Sequence, residues 1–472
     1  MSVPVPVPEK KTARALNRLA GRAGRAAAFC SFLGLAACAG HSDRTREIRT
    51  ALDTMQPKRA LALVNEELEV DRAEDVPKEV SGDNALLILD RAMILQQLDS
   101  VKLSSRDLEL ADKQIEILDL SRNAVDDLGK YLFSDESGPY RAPAYEKLMI
   151  NSMNMLNYLV RRDLNGARIE ARRLSVMQKF IHEHEDPALS MMAPGSYLAG
   201  FTFEKSGRPQ EALRYYDEAL KFGEYRTLSE PVRRLAAQSS YRSPRIRKLL
   251  GDQDPLRTGK TESTPAETAS QDGDLLVVVS FGRVPAKVAR RIPIGLALTY
   301  ASGFISPTDH GRANALAAQG LVTWVNYPEL GRARGQYDQP QFALGSRWMP
   351  LEGILAVDAE AKRAWEDAKG AVVASAITRM IARIVAGEAA RRATGGGLTG
   401  LLVSLGTQAT LTAVDTPDTR SWATLPARIA FGRMRVPAGT HWVTLGARGV
   451  RKQQRLAMSP GGWAVLHLTV LS

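Results

Sequence analysis

The sequence predicts an α+β protein, in which irregular helical hairpins form an N-terminal solenoid and a smaller C-terminal half contains a mostly antiparallel sheet with an apolar helical insert. Residues 44–250 carry apolar residues at helical spacing and almost no strand signals. Residues 427–445 and 463–471 instead alternate apolar and polar residues, as half-buried strands do. Between the halves, a stretch rich in Thr, Ser, Pro and acidic residues predicts a flexible linker. We expect four parts: an N-terminal segment at 1–37, a helical domain at 38–250, a linker at 251–273 and a basic domain at 274–472.

The first 37 residues have the pattern of a secretory signal. Six basic residues and no acid lie between Lys10 and Arg25, and the uncharged run AAAFCSFLGLAA follows at 26–37. This run is too short to span a bilayer, which needs about 20 helical residues. The stretch 1–9, MSVPVPVPE, makes the basic region unusually long and rich in proline. We therefore expect a signal peptide that ends before the mature chain begins.

The exit of this segment, Leu35-Ala36-Ala37-Cys38, resembles the lipobox of bacterial lipoproteins. The resemblance implies signal cleavage between Ala37 and Cys38 and acylation of Cys38, with palmitate among the expected acyl groups. The residue after Cys38 is Ala39 rather than Asp, which by resemblance to enterobacterial lipoproteins favours the outer membrane, facing the periplasm. The alternative is cleavage elsewhere, with Cys38 a plain thiol.

Composition limits the chemistry of the mature chain. The sequence has two cysteines, and Cys30 would leave with the signal, so neither a disulfide within the chain nor a cysteine-based metal site is expected. Residues 38–273 hold 34 basic and 39 acidic residues, whereas residues 274–472 hold 23 basic and 12 acidic residues. The basic half could meet anionic lipid, lipopolysaccharide or peptidoglycan carboxylates, or it could be a solvated surface without a ligand. Nucleic acid is not an expected partner in the envelope.

The clearest helical hairpin is SYLAGFTFEKSGRPQEALRYYDEALKF, residues 196–222. Gly207 ends its first helix and Pro209 suits the first turn of its second. Small and aromatic residues occupy the stripes that would face each other, namely Gly200, Phe203, Ala212, Tyr216 and Ala219. This pattern resembles the tetratricopeptide repeat, in which small residues let two helices approach and aromatic residues fill the gap.

Three weaker copies of this pattern precede it. Their second helices start near residues 60, 104 and 167, and the clear copy follows at 212, so the steps are 44, 63 and 45 residues. A strict tetratricopeptide array would step by about 34. We therefore expect irregular hairpins with insertions. By resemblance, the groove-facing positions of the clear repeat are Tyr197, Phe201 and Lys205, where peptide segments of a partner would dock. The alternative is that these residues only pack on a neighbouring hairpin.

In the C-terminal half, strands are predicted at 275–282, 320–328, 427–445 and 463–471, and a long helix is predicted at 358–393. Residues 393–414 carry no charge, but their Gly and Thr content favours a buried or partner-facing helix over a lipid-facing one. In DTPDTRSWATLPARI, residues 415–429, we expect Asp418 and Arg420 to form an ion pair beside a packed Trp422.

Motifs for catalysis or cofactors are weak. TGKT at 258–261 lacks the glycine and the preceding strand of a phosphate-binding loop, and GGGLTG at 395–400 follows a predicted helix. His182 and His184 have no second cluster to complete a metal site, so no metal and no cofactor are expected. No nucleophile–base–acid set is visible, and the chain is not expected to be an enzyme.

The whole chain resembles an uncharacterised group of proteobacterial lipoproteins. The resemblance is carried by the lipobox, NYLVRRDLNGARIEARR and PDTRSWATLP. The function we expect is a lipid-anchored scaffold that recruits or positions a cell-envelope assembly through its helical groove. The alternative is a lipid-anchored hydrolase or transferase that acts on an envelope polymer, with its site in the C-terminal domain.

Overall fold

The computed structural model of the chain describes residues 40–120, 140, 142–183, 191–254, 271–320, 322–335, 338–393 and 417–472. The predicted signal segment, Cys38, His184, most of the predicted linker and residues 394–414 lie outside the described residues. The helices are α1 His41–Arg44, α2 Arg46–Asp53, α3 Pro57–Glu67, α4 Asp83–Gln97, α5 Val101–Leu120, α6 Ala144–Val160, α7 Leu164–Glu183, α8 Met192–Lys205, α9 Pro209–Ala219, α10 Ser229–Ala236, α11 Pro244–Leu250, α12 Ile294–Tyr300, α13 Pro307–Ala318 and α14 Val357–Ala393.

The helices of the N-terminal half pack as consecutive hairpins, and the predicted stripes lie between them. In the pair α8–α9, a Cβ added at Gly200 would overlap the ring of Tyr216. The same relation holds one hairpin earlier, where a Cβ at Gly166 would overlap the ring of Tyr158. The glycines are therefore required because each lets an aromatic ring cross the backbone of the neighbouring helix.

The strands are β1 Gly273–Phe281, β2 Lys287–Pro293, β3 Trp324–Leu330, β4 Gln341–Leu344, β5 Arg347–Pro350, β6 Glu352–Ala356, β7 Arg428–Val436, β8 Gly439–Ala447, β9 Val450–Met458 and β10 Trp463–Val470. They form an inner sheet in the order β10-β1-β7-β6, an outer sheet in the order β5-β4-β8-β9, and the two-stranded pair β2–β3. β1 pairs parallel with β10, and the other pairings are antiparallel.

The inner sheet lies between the helices and the outer sheet. Leu276 and Val278 of β1 belong to one core with the helices, whereas Leu275 and Val277 belong to a second core with the outer sheet. This alternation follows from the two-residue period of a strand. All nine residues of β1 are buried, because its two faces are covered by different layers. The described part of the chain is thus mixed α and β, with helices, inner sheet and outer sheet stacked in that order.

A third core joins the pair β2–β3 to helices α12, α13 and α14. The stripe that the sequence predicts along this helix is Trp365, Val372, Ala376, Met380 and Ile384. The first three are buried in this core, and Met380 and Ile384 are partly buried against it. A search of the described helices for a segment long and apolar enough to cross a bilayer found none.

Five strands were not predicted, namely β2, β4, β5, β6 and β9. β4, β5 and β6 are four or five residues long, and such lengths give too few alternations to stand out in a sequence. The strand expected at 320–328 begins only at Trp324 and continues to Leu330.

Candidate functional site: a helical groove filled by the chain's own strands

The three predicted groove residues on α8 lie against the inner sheet of the same chain. Tyr197 stacks on Phe431 of β7, with ring centroids 4.5 Å apart and planes 18° apart. Phe201 meets the ring of Trp463 of β10 edge-on at 5.8 Å, and Lys205 forms an ion pair with Asp274 of β1. Tyr197 and Phe201 are fully buried. The expectation of an open groove for a partner peptide is therefore wrong, because strands of this chain occupy that face.

A buried network of charges joins the same two layers. Arg433 Nη2 of β7 donates to Glu204 Oε1 of α8 at 2.7 Å, and Arg433 Nε donates to Asp274 Oδ1 at 3.0 Å. Tyr216 Oη donates to Glu204 Oε2 at 2.6 Å. Burial alone would raise the pKa of Glu204, but the cations Arg433 and Lys205 lower it to about 2. The carboxylates therefore remain charged, and each is satisfied by a partner from the other half.

Residues 417–427, which we call the strap, run across the helices. The backbone N–H of Trp422 donates to Glu146 Oε1 of α6 at 3.1 Å. The N–H of Thr424 donates to Asp90 Oδ1 of α4 at 2.9 Å, and its hydroxyl donates to the same oxygen at 2.8 Å. The Trp422 side chain is fully buried in the helical core. The helical half thus holds a segment of the chain itself, and this segment turns at residues 422–425, where Leu425 N donates to the Trp422 carbonyl at 3.3 Å.

The start of the strap has the expected local pair. Arg420 Nε lies 2.8 Å from Asp418 Oδ1, and Arg420 Nη1 lies 3.5 Å from Asp83 Oδ1 of α4. Ser42 N of α1 donates to Thr419 Oγ1 at 3.0 Å. The prediction of an ion pair beside a packed ring at Trp422 is confirmed, and the pair also attaches the strap to the first helices.

The carboxyl groups under the strap have perturbed acidities. Burial raises the pKa of Asp90 to about 7, against the lowering effect of its two hydrogen bonds from Thr424. Burial also raises the pKa of Glu146, which accepts a bond from Tyr140 Oη at 2.5 Å. Raised carboxyl pKa values are typical of general acids. Here, however, both groups are buried beneath the strap and bind its backbone, so their described role is to hold it.

The other predicted site residues have no described geometry. Ala37, Cys38 and His184 lie outside the described residues, and the side chain of His182 is likewise not described. Among the described residues, no group of three His, Cys, Asp or Glu side chains could hold a metal ion.

The outward face of the outer sheet carries candidate binding residues that the sequence did not reveal. Trp348 of β5 and Trp442 of β8 are 45% and 52% exposed. Arg451 and Arg455 of β9 are exposed on the same face, and Trp442 lies directly opposite Arg455 in the register. A signal was present in RKQQR, residues 451–455, where Arg451, Gln453 and Arg455 alternate with residues of the covered face. This alternation indicates a shared face only if residues 450–458 are known to form a strand, and β9 was not predicted from the sequence.

Comparisons of the chain with protein-family models, with curated proteins and with solved structures found no match.

Proposed function

We propose that this protein is a lipid-anchored binding protein of the cell envelope, held by Cys38 in the outer membrane and facing the periplasm. It acts as a scaffold that positions an envelope assembly, without catalysing a reaction. The helical half supports the β half, and the β half contacts the partner. This proposal keeps the expected class of function but moves the recognition surface away from the helical groove.

One observation carries the proposal. The face of α8 expected to bind a partner is buried under β1, β7 and β10, while the opposite side of the β half leaves two tryptophans about half exposed. Exposed aromatic residues beside arginines are typical of binding surfaces, where both residue types are enriched. The helices therefore hold the inner sheet rigidly, and the outer sheet faces outward.

The proposed anchor would keep the body close to the membrane. The described chain begins at Gly40, which is buried, and Ser42 is already hydrogen-bonded to the strap. Gly40 is two positions after Cys38, with Ala39 between them, and an extended chain spans at most about 7 Å over two positions. A lipid on Cys38 would therefore fix the position of the folded body, as a scaffold requires.

The test of the anchor compares the two cysteines. Cells that express the tagged full-length chain are labelled with a palmitate analogue and then separated into membrane and soluble fractions. We expect label and outer-membrane localisation in the wild type and in the matched variant Cys30→Ala, and the loss of both in Cys38→Ala. Equal labelling of Cys38→Ala and the wild type would refute the anchor.

The test of the scaffold role places a photo-crosslinking residue at the exposed Gln453 of β9, on the same face as Trp442, with the same residue at the exposed Val176 of α7 as control. We expect a reproducible envelope component to be captured from position 453 and not from position 176. Capture from both positions, or from neither, would contradict the assignment of the recognition surface to the outer sheet.

A further inference from the structure

The outward face of the outer sheet has a defined arrangement of side chains. Across the strands, Trp348 of β5 is opposite Ala343 of β4, Ala343 is opposite Thr444 of β8, and Thr444 is opposite Gln453 of β9. Residues that face each other in this way point to the same side of a sheet. The row therefore runs from an indole ring, over two small side chains, to an amide.

Neighbouring rows add charge and a second indole. One row joins Gln341, Gly446 and Arg451, and the other joins Trp442 to Arg455. Atom Cζ3 of Trp348 lies 4.0 Å from where a Cβ of Gly446 would stand, so its ring reaches across β4 over this glycine. The Arg451 guanidinium lies 5.6 Å from the centre of the Trp348 ring. The result is a shallow shelf at Thr444 and Gln453, bordered by two indoles and two guanidinium groups. Ala343 is only 1% exposed, and the Trp348 ring lies over Gly446.

The separation of the two indoles follows from the register. Trp348 is two strands away from Thr444, and Trp442 is two residues along β8 from Thr444. With strands about 4.8 Å apart and about 3.4 Å between residues, the two tryptophan backbones are about 12 Å apart.

The charge of this layer has one sign. The four strands of the outer sheet contain the basic residues Arg347, Arg451, Lys452 and Arg455, and they contain no acidic residue. Among the described residues, Arg451 and Arg455 form no ion pair with a carboxylate, whereas Lys452 points inward and pairs with Asp99. The nearby Asp338 is paired with Arg448 at 2.7 Å. The outward face therefore presents two guanidinium groups that complement an anion.

A cleft of about 400 Å³ adjoins this shelf, and it is lined by Trp348, Gln341, Gly446 and Arg451 together with Asp338 and Arg448. Amide groups and guanidinium groups can bind ring hydroxyls and carboxylates, and an indole ring offers a flat apolar surface to the C–H face of a sugar. A lipid surface would instead favour a cluster of apolar tips, whereas the shelf between the indoles consists of the polar residues Thr444 and Gln453.

We propose that the outer sheet binds a carboxylate-bearing glycan strand, with Trp348 and Trp442 stacking on sugar rings and Arg451 and Arg455 binding the carboxylates. Peptidoglycan, whose glycan strands carry short peptides with free carboxylates, is the polymer of this chemistry that lies within reach of a periplasmic lipoprotein. This inference rests on the proposed envelope function for the identity of the polymer. The arrangement of side chains stands on its own.

The experiment uses the complete mature chain with Cys38→Ala, so that no lipid competes for binding. Its co-sedimentation is measured with purified peptidoglycan, with chitin as a neutral polymer of N-acetylhexosamine, and with phosphatidylglycerol vesicles. We expect retention by peptidoglycan, weaker retention by chitin and none by vesicles. Retention on vesicles equal to or stronger than that on peptidoglycan would overturn the proposal in favour of a lipid ligand.

Variants then test the residues. Trp348→Ala and Trp442→Ala should each weaken binding to peptidoglycan about tenfold, the size of effect expected for one lost aromatic contact. The double variant Arg451→Gln and Arg455→Gln should weaken it at low salt and reduce its dependence on salt. The matched controls lie on the pair β2–β3. They are Trp324→Ala, at a position 51% exposed, and the double variant Arg290→Gln and Arg291→Gln, at two exposed positions.

Both control variants should bind as the unsubstituted chain does. Equal losses in Trp324→Ala and Trp442→Ala would mean that aromatic residues adsorb non-specifically, and unchanged binding in Trp348→Ala and Trp442→Ala would also overturn the proposal. All the substituted side chains are exposed, and thermal unfolding verifies that each variant is folded. Because this assay needs no anchor, its failure is distinct from a failure of the Cys38 labelling test, which concerns location alone.

Discussion

At the scale of single residues, Gly200 shows how one missing side chain permits a helical pair. A Cβ at this position would overlap Cδ1 and Cε1 of Tyr216, which is fully buried between α8 and α9 and bonded to Glu204. Neither helix can move away freely, because α8 is also covered by the inner sheet. Gly200→Ala should therefore lower the free energy of unfolding by about 1–3 kcal/mol, the usual range for overpacking. Urea denaturation measures this.

Gly311→Ala is the matched control for that substitution. Gly311 lies inside α13, and no heavy atom stands within 4 Å of its potential Cβ. Alanine should stabilise this helix by up to about 1 kcal/mol, because glycine loses more backbone entropy on folding. If Gly311→Ala lowered the free energy of unfolding as much as Gly200→Ala, the effect of both substitutions would come from helix geometry and not from the contact with Tyr216.

Asp90 makes stability depend on pH. Its pKa is raised to about 7 in the folded protein, so the folded state holds a proton that the unfolded chain has already released above pH 4. Its contribution is therefore greatest at acidic pH and is lost as the pH rises through about 7. Buried His41 and His467 act in the opposite direction, because their pKa values are lowered to about 3 and about 4 and the unfolded chain takes up protons below pH 6.5.

The variant Asp90→Asn isolates this carboxyl group from the two histidines. An amide keeps an oxygen for Thr424 but cannot ionise. We expect the free energy of unfolding of Asp90→Asn, relative to wild type, to rise between about pH 4 and pH 7, by at most about 1.4 kcal/mol per pH unit, and to level off above pH 7. Chemical denaturation at each pH measures the difference. A difference that stays constant over this range would contradict the raised pKa.

At the scale of elements, the strap is the part that fixes the β half to the helices. Trp422 is buried in the helical core, and its ring N–H has no hydrogen-bond partner within the described structure. Trp422→Ala should therefore cost about 3–5 kcal/mol of unfolding free energy, because a large cavity opens between the layers. Trp422→Phe keeps most of the ring and loses no bond, so it should cost much less. Equal costs for the two variants in urea denaturation would argue against a packing role.

The helices could be predicted from sequence because their signals are local. The spacing of Ala212, Tyr216 and Ala219 places them on one face of α9, and this pattern does not depend on residues elsewhere in the chain. The site could not be predicted in the same way. The tetratricopeptide pattern assigns Tyr197 and Phe201 to a groove, and they do lie on such a face, but Phe431 and Trp463 cover them from more than 200 residues away along the chain. No local pattern encodes that contact, because it depends on tertiary packing.

At the scale of the whole molecule, the two halves have one continuous core, since residues of α4, α6 and α8 pack with residues of β1, β7 and β10. Cutting the chain in the interval 255–270 should therefore leave the halves together. With a protease site inserted there, we expect the cleaved fragments to elute as one species of the original size in gel filtration. The arrangement resembles a large, apolar interface rather than a mobile contact between domains.

The charge network between Glu204, Asp274 and Arg433 makes this prediction specific. The Arg433 side chain is 3% exposed. Removing it takes away a cation from the buried carboxylates of Glu204 and Asp274. Breaking a buried ion pair in this way lowers the free energy of unfolding by about 3–5 kcal/mol. In the cleaved protein Arg433→Met should therefore release the fragments, whereas Arg435→Met on the same strand, whose guanidinium is bonded to the carbonyl of Asp272, should leave them together. If the cleaved wild type separates, the shared core does not hold the halves, and the helices cannot support the outer sheet. If the cleaved wild type stays together and only the cleaved Arg433→Met variant separates, the contact of α8 with β1, β7 and β10 is what holds the β half on the helices.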